Sequence, residues 1–111
     1  MGEKGAKQTQ AAARSAEAVV ADLAPLGDVA SKKMFGGHGV FCDGVMFALI
    51  DSHGTVHLRA DEATQQRFAA AGASKHGRMP YWTVPTDVLR SEDDFVAWAS
   101  ESLEVARAAK R

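Results

Sequence analysis

At 111 residues the chain has the length of one domain and can bury one hydrophobic core. Its formal net charge of −1 excludes a general attraction to nucleic acid or anionic membranes, and its single cysteine, Cys42, excludes an intramolecular disulfide. The polar N-terminus lacks the apolar segment of a secretory signal, and no run approaches the ~20 apolar residues of a membrane helix. We therefore expect a cytoplasmic protein with a flexible tail over residues 1–8 and a single domain over residues 9–111.

The first helix is predicted from apolar spacing between residues 9 and 23. Thr9 can cap its N-terminus, and Pro25 with Gly27 ends it. The apolar residues that share one helical face are Ala12, Ala16, Val19, Val20 and Leu23. This pattern predicts an amphipathic helix packed on a sheet.

Residues 32–61 contain most of the strand-like sequence. Residues 33–42 are predicted to be one strand interrupted by glycines, and residues 45–50 are apolar throughout, as in a central strand covered on both faces. Between them, Asp43-Gly44 favours a type I′ turn, because both central positions of that turn need positive φ. A second turn at residues 51–54 precedes an alternating strand at 55–59. We expect a three-stranded antiparallel meander.

The last part of the chain predicts two helices separated by a strand. Asp61 can cap a helix that ends near Gly72, and residues 79–84 favour a strand with Pro80 at its start or on an edge. Residues 91–107 keep helical spacing after a capping sequence. The order is α, three strands, α, one or two strands, α, which predicts an α+β domain with helices packed on an antiparallel sheet.

The cluster Gly36-Gly37-His38-Gly39 has two interpretations. A phosphate-binding loop would place glycines before a helix N-terminus, so that several backbone N–H groups converge on the anion. Here strand sequence follows, and neither the dinucleotide nor the P-loop spacing is present. We therefore favour a β-bulge or kink that bends one strand, with a ligand groove left open as an alternative.

No catalytic, metal or cofactor-binding residue is assigned. The four histidines, His38, His53, His57 and His76, are scattered without ligand spacing. Cys42 precedes a hairpin turn and has no evident neighbouring base to lower its pKa. The acidic pairs lie where helices begin, so capping and the helix dipole account for them.

Aromatic and basic residues near the predicted last strand suggest a surface. Tyr81 and Trp82 are adjacent on a strand and must point to opposite faces, while Trp98 has helical-core spacing. The most credible anion-binding group comprises Lys75, His76, Arg78 and Arg90. A solvated loop is the default interpretation of that group.

Several motifs together resemble the N-terminal domain of the TfoX/Sxy family. They are Met34-Phe35-Gly36-Gly37-His38-Gly39, Asp43-Gly44-Val45-Met46-Phe47-Ala48, Leu58, Ala60-Asp61-Glu62, Met79, Tyr81-Trp82 and Pro85. The resemblance covers about residues 12–106 and implies a curved antiparallel sheet of four to five strands, in the order α-β-β-β-α-β(-β)-α. The interval between Gly72 and Met79 is shorter than the family spacing, which indicates that one strand is trimmed or lost.

The resemblance also bears on function. Full-length members regulate DNA-uptake competence, with a cyclic-AMP-responsive transcription activator as partner, and carry a second C-terminal domain. These 111 residues contain no second domain, so the resemblance implies a stand-alone N-terminal domain. It implies no catalytic residues.

The leading hypothesis is a non-enzymatic regulatory or protein-interaction domain whose partner binds a sheet edge or groove. The candidate surface comprises Phe35, Gly36, Gly37, His38, Arg78, Tyr81 and Trp82. A transcription regulator is one candidate partner and a second copy of the chain is another, whereas membrane binding is not expected. The alternative is a small-molecule-binding or enzymatic domain with a pocket near Met34, His38, Tyr81 and Trp82. Direct nucleic-acid binding is the weakest hypothesis, because the chain is almost neutral.

Overall fold

The chain forms two layers, a five-stranded antiparallel sheet and a layer of helices. The computed structural model describes the backbone of residues 2–34 and 36–110, with side chains described from Gln10 onward. The elements are α1 (Gly2–Asp22), a 3₁₀ turn (Ala24–Leu26), β1 (Val29–Met34), β2 (Gly37–Cys42), β3 (Val45–Ile50), β4 (Val56–Arg59), α2 (Gln65–Ala70), β5 (Tyr81–Thr83), α3 (Thr86–Arg90) and α4 (Glu92–Lys110). The strands lie in the order β1-β2-β3-β4-β5. The predicted α+β fold is confirmed.

Helix α1 packs on the sheet through the predicted apolar face. Ala12, Ala16, Val19 and Leu23 are all buried in the core. The helix begins at Gly2 and not at Thr9. The prediction of a flexible tail concerns residues whose side chains lie outside the described part, and it stays a prediction.

The stretch that was expected to be one interrupted strand is a hairpin of two strands, β1 and β2. Gly36 has a φ of +78°, in the left-handed region that glycine adopts readily, and lies between the two strands. A shift in register between β2 and β3 does occur, but beyond the glycines, at Val40 and Phe41. The prediction missed β1 because four of its six residues are exposed, so its sequence shows no apolar alternation.

The next hairpin follows the prediction. Asp43 and Gly44 have φ values of 50° and 82°, as the two central positions of a type I′ turn require. Between Gly72 and Met79, where the resemblance indicated a trimmed or lost strand, the chain contributes a single bridge, from Lys75 to Trp82. The short helix α3 was not predicted.

The two faces of the sheet differ in what covers them. The helix face carries the residues that meet the helices in the main core, including Val40, Ala48, Ile50 and Leu58. The opposite face, called here the open face, carries Met34, Gly39, Phe41, Met46, Leu49, His57, Arg59 and Tyr81, as the strand register requires. Three half-buried side chains, Met34, Phe41 and Met46, converge over Gly39, where an added Cβ would lie 2.9–3.2 Å from each of them.

Candidate functional site

Strand β1 forms one end of the sheet, and no described strand pairs with its outer edge. Asp43 N–H donates to the carbonyl oxygen of Asp28 (3.1 Å), which makes this pair a hydrogen-bonded pair of the antiparallel ladder. Because the ladder alternates, Ala30 and Lys32 face β2, and the backbone groups of Ser31 and Lys33 point outward. Among the described residues, no backbone group accepts or donates a hydrogen bond at that outer edge of Ser31 and Lys33.

The opposite edge of the sheet, at β5, is covered. His76 N–H donates to the carbonyl oxygen of Tyr81 (2.8 Å), and Thr83 N–H donates to that of Ser74 (2.9 Å). Residues 74–76 therefore occupy the outer edge of β5, and Tyr81 N–H donates to the Met79 carbonyl oxygen (2.8 Å). The two edges of one sheet thus differ, and only the edge at β1 is free within the described part of the chain.

A shallow groove runs along the free edge. Its volume is about 370 Å³, and its lining residues are Asp28, Ala30, Ser31, Lys32, Phe41 and Gly44. Phe41 supplies an apolar surface, while Lys32 and the neighbouring Lys33 are exposed and form no salt bridge with any described residue. The groove therefore combines unpaired backbone groups, an aromatic ring and positive charge.

The glycines of the predicted surface form the β1–β2 hairpin at one end of this edge. Gly36 is exposed in the turn, whereas Gly37 is buried against the backbone of Ile50. His38 is half-buried on the helix face opposite Ile50, and its Nδ1 has no hydrogen-bond partner among the described residues. Phe35 lies outside the described residues. The glycines lead into strand β2 and not into a helix N-terminus, which disfavours the phosphate-loop interpretation.

The remaining predicted surface residues lie at the far side of the sheet. Arg78 is exposed in the loop before β5, but Tyr81 is buried on the open face, with the Arg59 guanidinium carbon 5.9 Å from its ring centroid. Burial raises the pKa of the Tyr81 hydroxyl, and Arg59 opposes that rise. Trp82 packs against the core on the helix face. Because Tyr81 and Trp82 are both withdrawn from solvent, Arg78 is the more accessible of these three side chains.

The four residues of the alternative pocket are divided between the two faces. Met34 and Tyr81 lie on the open face, and His38 and Trp82 lie on the helix face. The sheet therefore separates them into two pairs. Met34 instead lines a cavity of about 150 Å³ together with Leu49, Ile50, Asp51, Ser52, His76 and Met79.

Sequence reasoning missed a cluster of three possible ligands, Asp51, His57 and His76, on the open face. One ligand atom from each lies within 4.8 Å of the others. Asp51 follows β3, His57 belongs to β4, and His76 comes from the loop that covers the β5 edge. Their sequence spacing matches no metal motif, since it is the order of the strands that brings them together. Pairing of strand-like residues 55–59 with 45–50 could have placed His57 near Asp51, but nothing in the sequence placed His76.

The cluster is partly withdrawn from water. His57 is 3% exposed, and its ring lies edge-on to that of His76, with centroids 4.8 Å apart. Burial lowers the pKa of His57, and the neighbouring His76 lowers it further, against the opposing effects of Asp51 and the backbone carbonyls of Thr55 and Leu49. The lowered pKa favours the neutral form of His57, which is also the form that binds metals.

The class of this protein is defined by its fold and not by a set of catalytic residues. The molecule is a small α+β domain whose helices cover one face of an antiparallel meander. The family model of the TfoX N-terminal domain matches residues 21–106, most of the chain, so this chain belongs to that family. A comparison with curated proteins gave no significant match. None of the helices in the described part of the chain is long and apolar enough to cross a membrane.

Proposed function

We propose that this domain is a non-enzymatic, regulatory protein-interaction module that binds an extended segment of a partner protein along the outer edge of β1. The observation that supports this most directly is the difference between the two sheet edges. The β5 edge is closed by residues 74–76, while Ser31 and Lys33 present unpaired backbone groups. A strand from another protein can complete such an edge by main-chain hydrogen bonds.

The groove supports a partner segment of particular chemistry. An added strand would place alternate side chains over Phe41 and the neighbouring Met34, which favours apolar residues at those positions. Lys32 and Lys33 lie on opposite faces of β1, so acidic side chains on either face of the added strand would be attracted. We therefore propose an acidic segment with alternating apolar residues.

Charge also argues against self-association as the main use of this edge. Two copies of β1 paired with each other would bring four lysines together, and edge lysines are a common device against such pairing. We propose a transcription regulator as the partner, in a cytoplasmic complex, because the resemblance to the TfoX/Sxy family implies such a partner for its full-length members. Direct contact with DNA is not required by this model.

Proline at Ser31 tests the proposal. The Ser31 N–H points outward, so Ser31→Pro removes a donor from the edge without removing a bond to β2, and proline is tolerated on edge strands. The matched control, Ser31→Ala, removes the hydroxyl and keeps the N–H. We expect affinity capture from cell extract to recover the same partner with the wild-type chain and Ser31→Ala, and to lose it with Ser31→Pro.

Charge reversal gives the second arm. Lys32→Glu with Lys33→Glu should weaken capture, while Lys75→Glu, at the covered edge, should not. Equal capture by Ser31→Pro and the wild-type chain would overturn the proposal. Two other results would overturn it, because each would assign the edge to another occupant. One is salt-sensitive binding of DNA by the purified wild-type chain that is lost when both lysines are reversed. The other is a dimer of the chain that Ser31→Pro dissociates.

A further inference from the structure

We propose that Asp51, His57 and His76 form a binding site for a divalent transition-metal ion of the zinc type. Two imidazoles and one carboxylate are a common set of three protein ligands for zinc. The three ligand atoms lie within 4.8 Å of one another. Ligands at zinc distances in a tetrahedron lie about 3.4 Å apart, so the three groups need to close by at most about 1.5 Å.

The surroundings of His57 match those of a metal ligand. Its Nδ1 lies 3.1 Å from the carbonyl oxygen of Thr55 and donates a proton to it in the neutral tautomer that leaves Nε2 with a free lone pair. Metal-binding histidines almost always donate their second ring nitrogen in this way, which fixes the ring and its tautomer. The Thr55 carbonyl therefore fixes the orientation and the tautomer of the His57 ring, as hydrogen-bond acceptors do for histidine ligands at metal centres.

Asp51 is also held in place by its own hydrogen bonds. Its Oδ1 accepts from the N–H groups of His53 and Thr55, both at 2.9 Å. The second carboxylate oxygen is left for a cation. Because the two backbone donors belong to the β3–β4 turn, the carboxylate is oriented before any ion binds.

His76 supplies the third ligand, from the loop that covers the β5 edge. It lies in the loop over residues 71–80, is half-buried, and is anchored through its backbone to Tyr81. With the backbone held in place, rotation of the His76 side chain brings its ring toward Asp51 and His57. Metal binding would then tie the loop to the β3–β4 turn across the open face.

The fourth coordination position faces a small cavity. Asp51 and His76 both line the cavity of about 150 Å³, together with Met34 and Met79. Pockets for drug-sized ligands are about 300–1,000 Å³, so this space suits a water molecule or a small anion as the fourth ligand. We therefore assign the site to a metal ion and not to a larger organic ligand.

Cobalt(II) binding tests the site, because Co²⁺ replaces Zn²⁺ and shows intense visible bands when tetrahedral. The untagged full chain is treated with a chelator and titrated with Co²⁺, and then with Zn²⁺ to displace it. We expect one equivalent to bind. His76→Ala and Asp51→Asn should each weaken binding at least about tenfold. Asp51→Asn keeps an oxygen for the His53 and Thr55 N–H groups, so the turn is preserved.

His53→Ala is the matched control, since His53 is exposed in the same turn and lies outside the cluster. It should bind Co²⁺ as the wild-type chain does. Circular dichroism and Tm without metal establish that each variant is folded. No Co²⁺ binding by the wild-type chain, or undiminished binding by both folded variants His76→Ala and Asp51→Asn, would overturn the proposal. Partner capture tests the β1 edge and Co²⁺ binding tests the metal site. The two measurements are independent, so failure of one proposal does not decide the other.

Discussion

Gly37 lies so close to Ile50 that a Cβ on Gly37 would overlap the carbonyl group of Ile50. The two residues belong to neighbouring strands, and the close approach sits where the β1–β2 hairpin meets the centre of the sheet. Gly36 and Gly37 are therefore required for different structural reasons. Gly36 turns the chain, and Gly37 lets two backbones meet.

Gly37→Ala should be strongly destabilising, because the neighbouring group is backbone and cannot move aside as a side chain can. We expect a loss of about 3 kcal/mol or more in the free energy of unfolding. Gly44→Ala is the matched control, since it has a φ of +82° but open space around the added methyl. It should cost about 1–2 kcal/mol. Urea denaturation measures both, and equal losses would contradict the steric explanation.

Cys42 should be unreactive in the native protein. The side chain is fully buried, and burial raises the pKa of the thiol, with the Asp43 carboxylate raising it further against the effect of Arg107. Since the chain has one cysteine, labelling with iodoacetamide reports on this residue alone. We expect slow labelling at pH 8 that accelerates to completion in urea. Rapid labelling under native conditions would show that the thiol is accessible.

Because of Asp61, the free energy of unfolding should decrease as the solution becomes acidic. Its Oδ1 accepts from the backbone N–H of Thr64 (2.8 Å) and from the Thr64 hydroxyl (3.0 Å), and these bonds lower the pKa of the carboxyl. A lowered pKa means that the stabilisation is present above the unfolded pKa of about 3.9 and is lost as pH falls through the folded value.

The expected result is that Asp61→Asn lowers Tm at neutral pH and that its difference from the wild-type chain shrinks below about pH 4. Glu62→Gln is the control, because Glu62 forms no hydrogen bond or ion pair with the described residues. Its Tm difference should stay small across the same pH range. A difference for Asp61→Asn that is constant with pH would contradict the assignment.

Arg67 joins α2 to α4 by two kinds of contact. Its guanidinium lies 4.0 Å from the Trp98 ring centroid and forms two bonds to the Glu101 carboxylate, at 2.8 and 3.1 Å. Both charged side chains are about two-fifths exposed, so the ion pair should contribute less than about 1 kcal/mol. Trp98 is half-buried, and stacking of an exposed guanidinium on its ring contributes about 0.5–1 kcal/mol.

We therefore expect Glu101→Gln to cost less than Arg67→Ala, since the latter removes both contacts. Arg67→Lys should fall between them, because lysine keeps the charge but loses the planar fork. Unfolding in urea, followed by tryptophan fluorescence, gives the free energies. A larger loss for Glu101→Gln than for Arg67→Ala would contradict the assignment of two separate contacts.

Several elements could be predicted because their signals are local. The Asp43-Gly44 turn, the buried strand β3 and the apolar face of α1 follow from residues adjacent in sequence or on one helical face. Strand β1 could not be predicted, because an exposed edge strand with two lysines has no apolar pattern. The glycines after it were consequently interpreted as a kink within one strand.

The candidate sites were harder to predict for a related reason. The difference between the two edges exists because β5 is covered, and that cover comes from residues 74–76, which have loop-like composition. The cluster of Asp51, His57 and His76 also depends on that loop. Both features arise from contacts between distant parts of the chain, which spacing within a sequence does not encode.

The cover over β5 has a consequence for assembly. A sheet that is open at both edges can add strands from either side and grow into a polymer. Within the described part of the chain only the β1 edge is free, so copies of this chain cannot link β1 to β5 in an unending series. Pairing between copies through β1 would therefore stop at two copies and would not extend into a fibre of this chain.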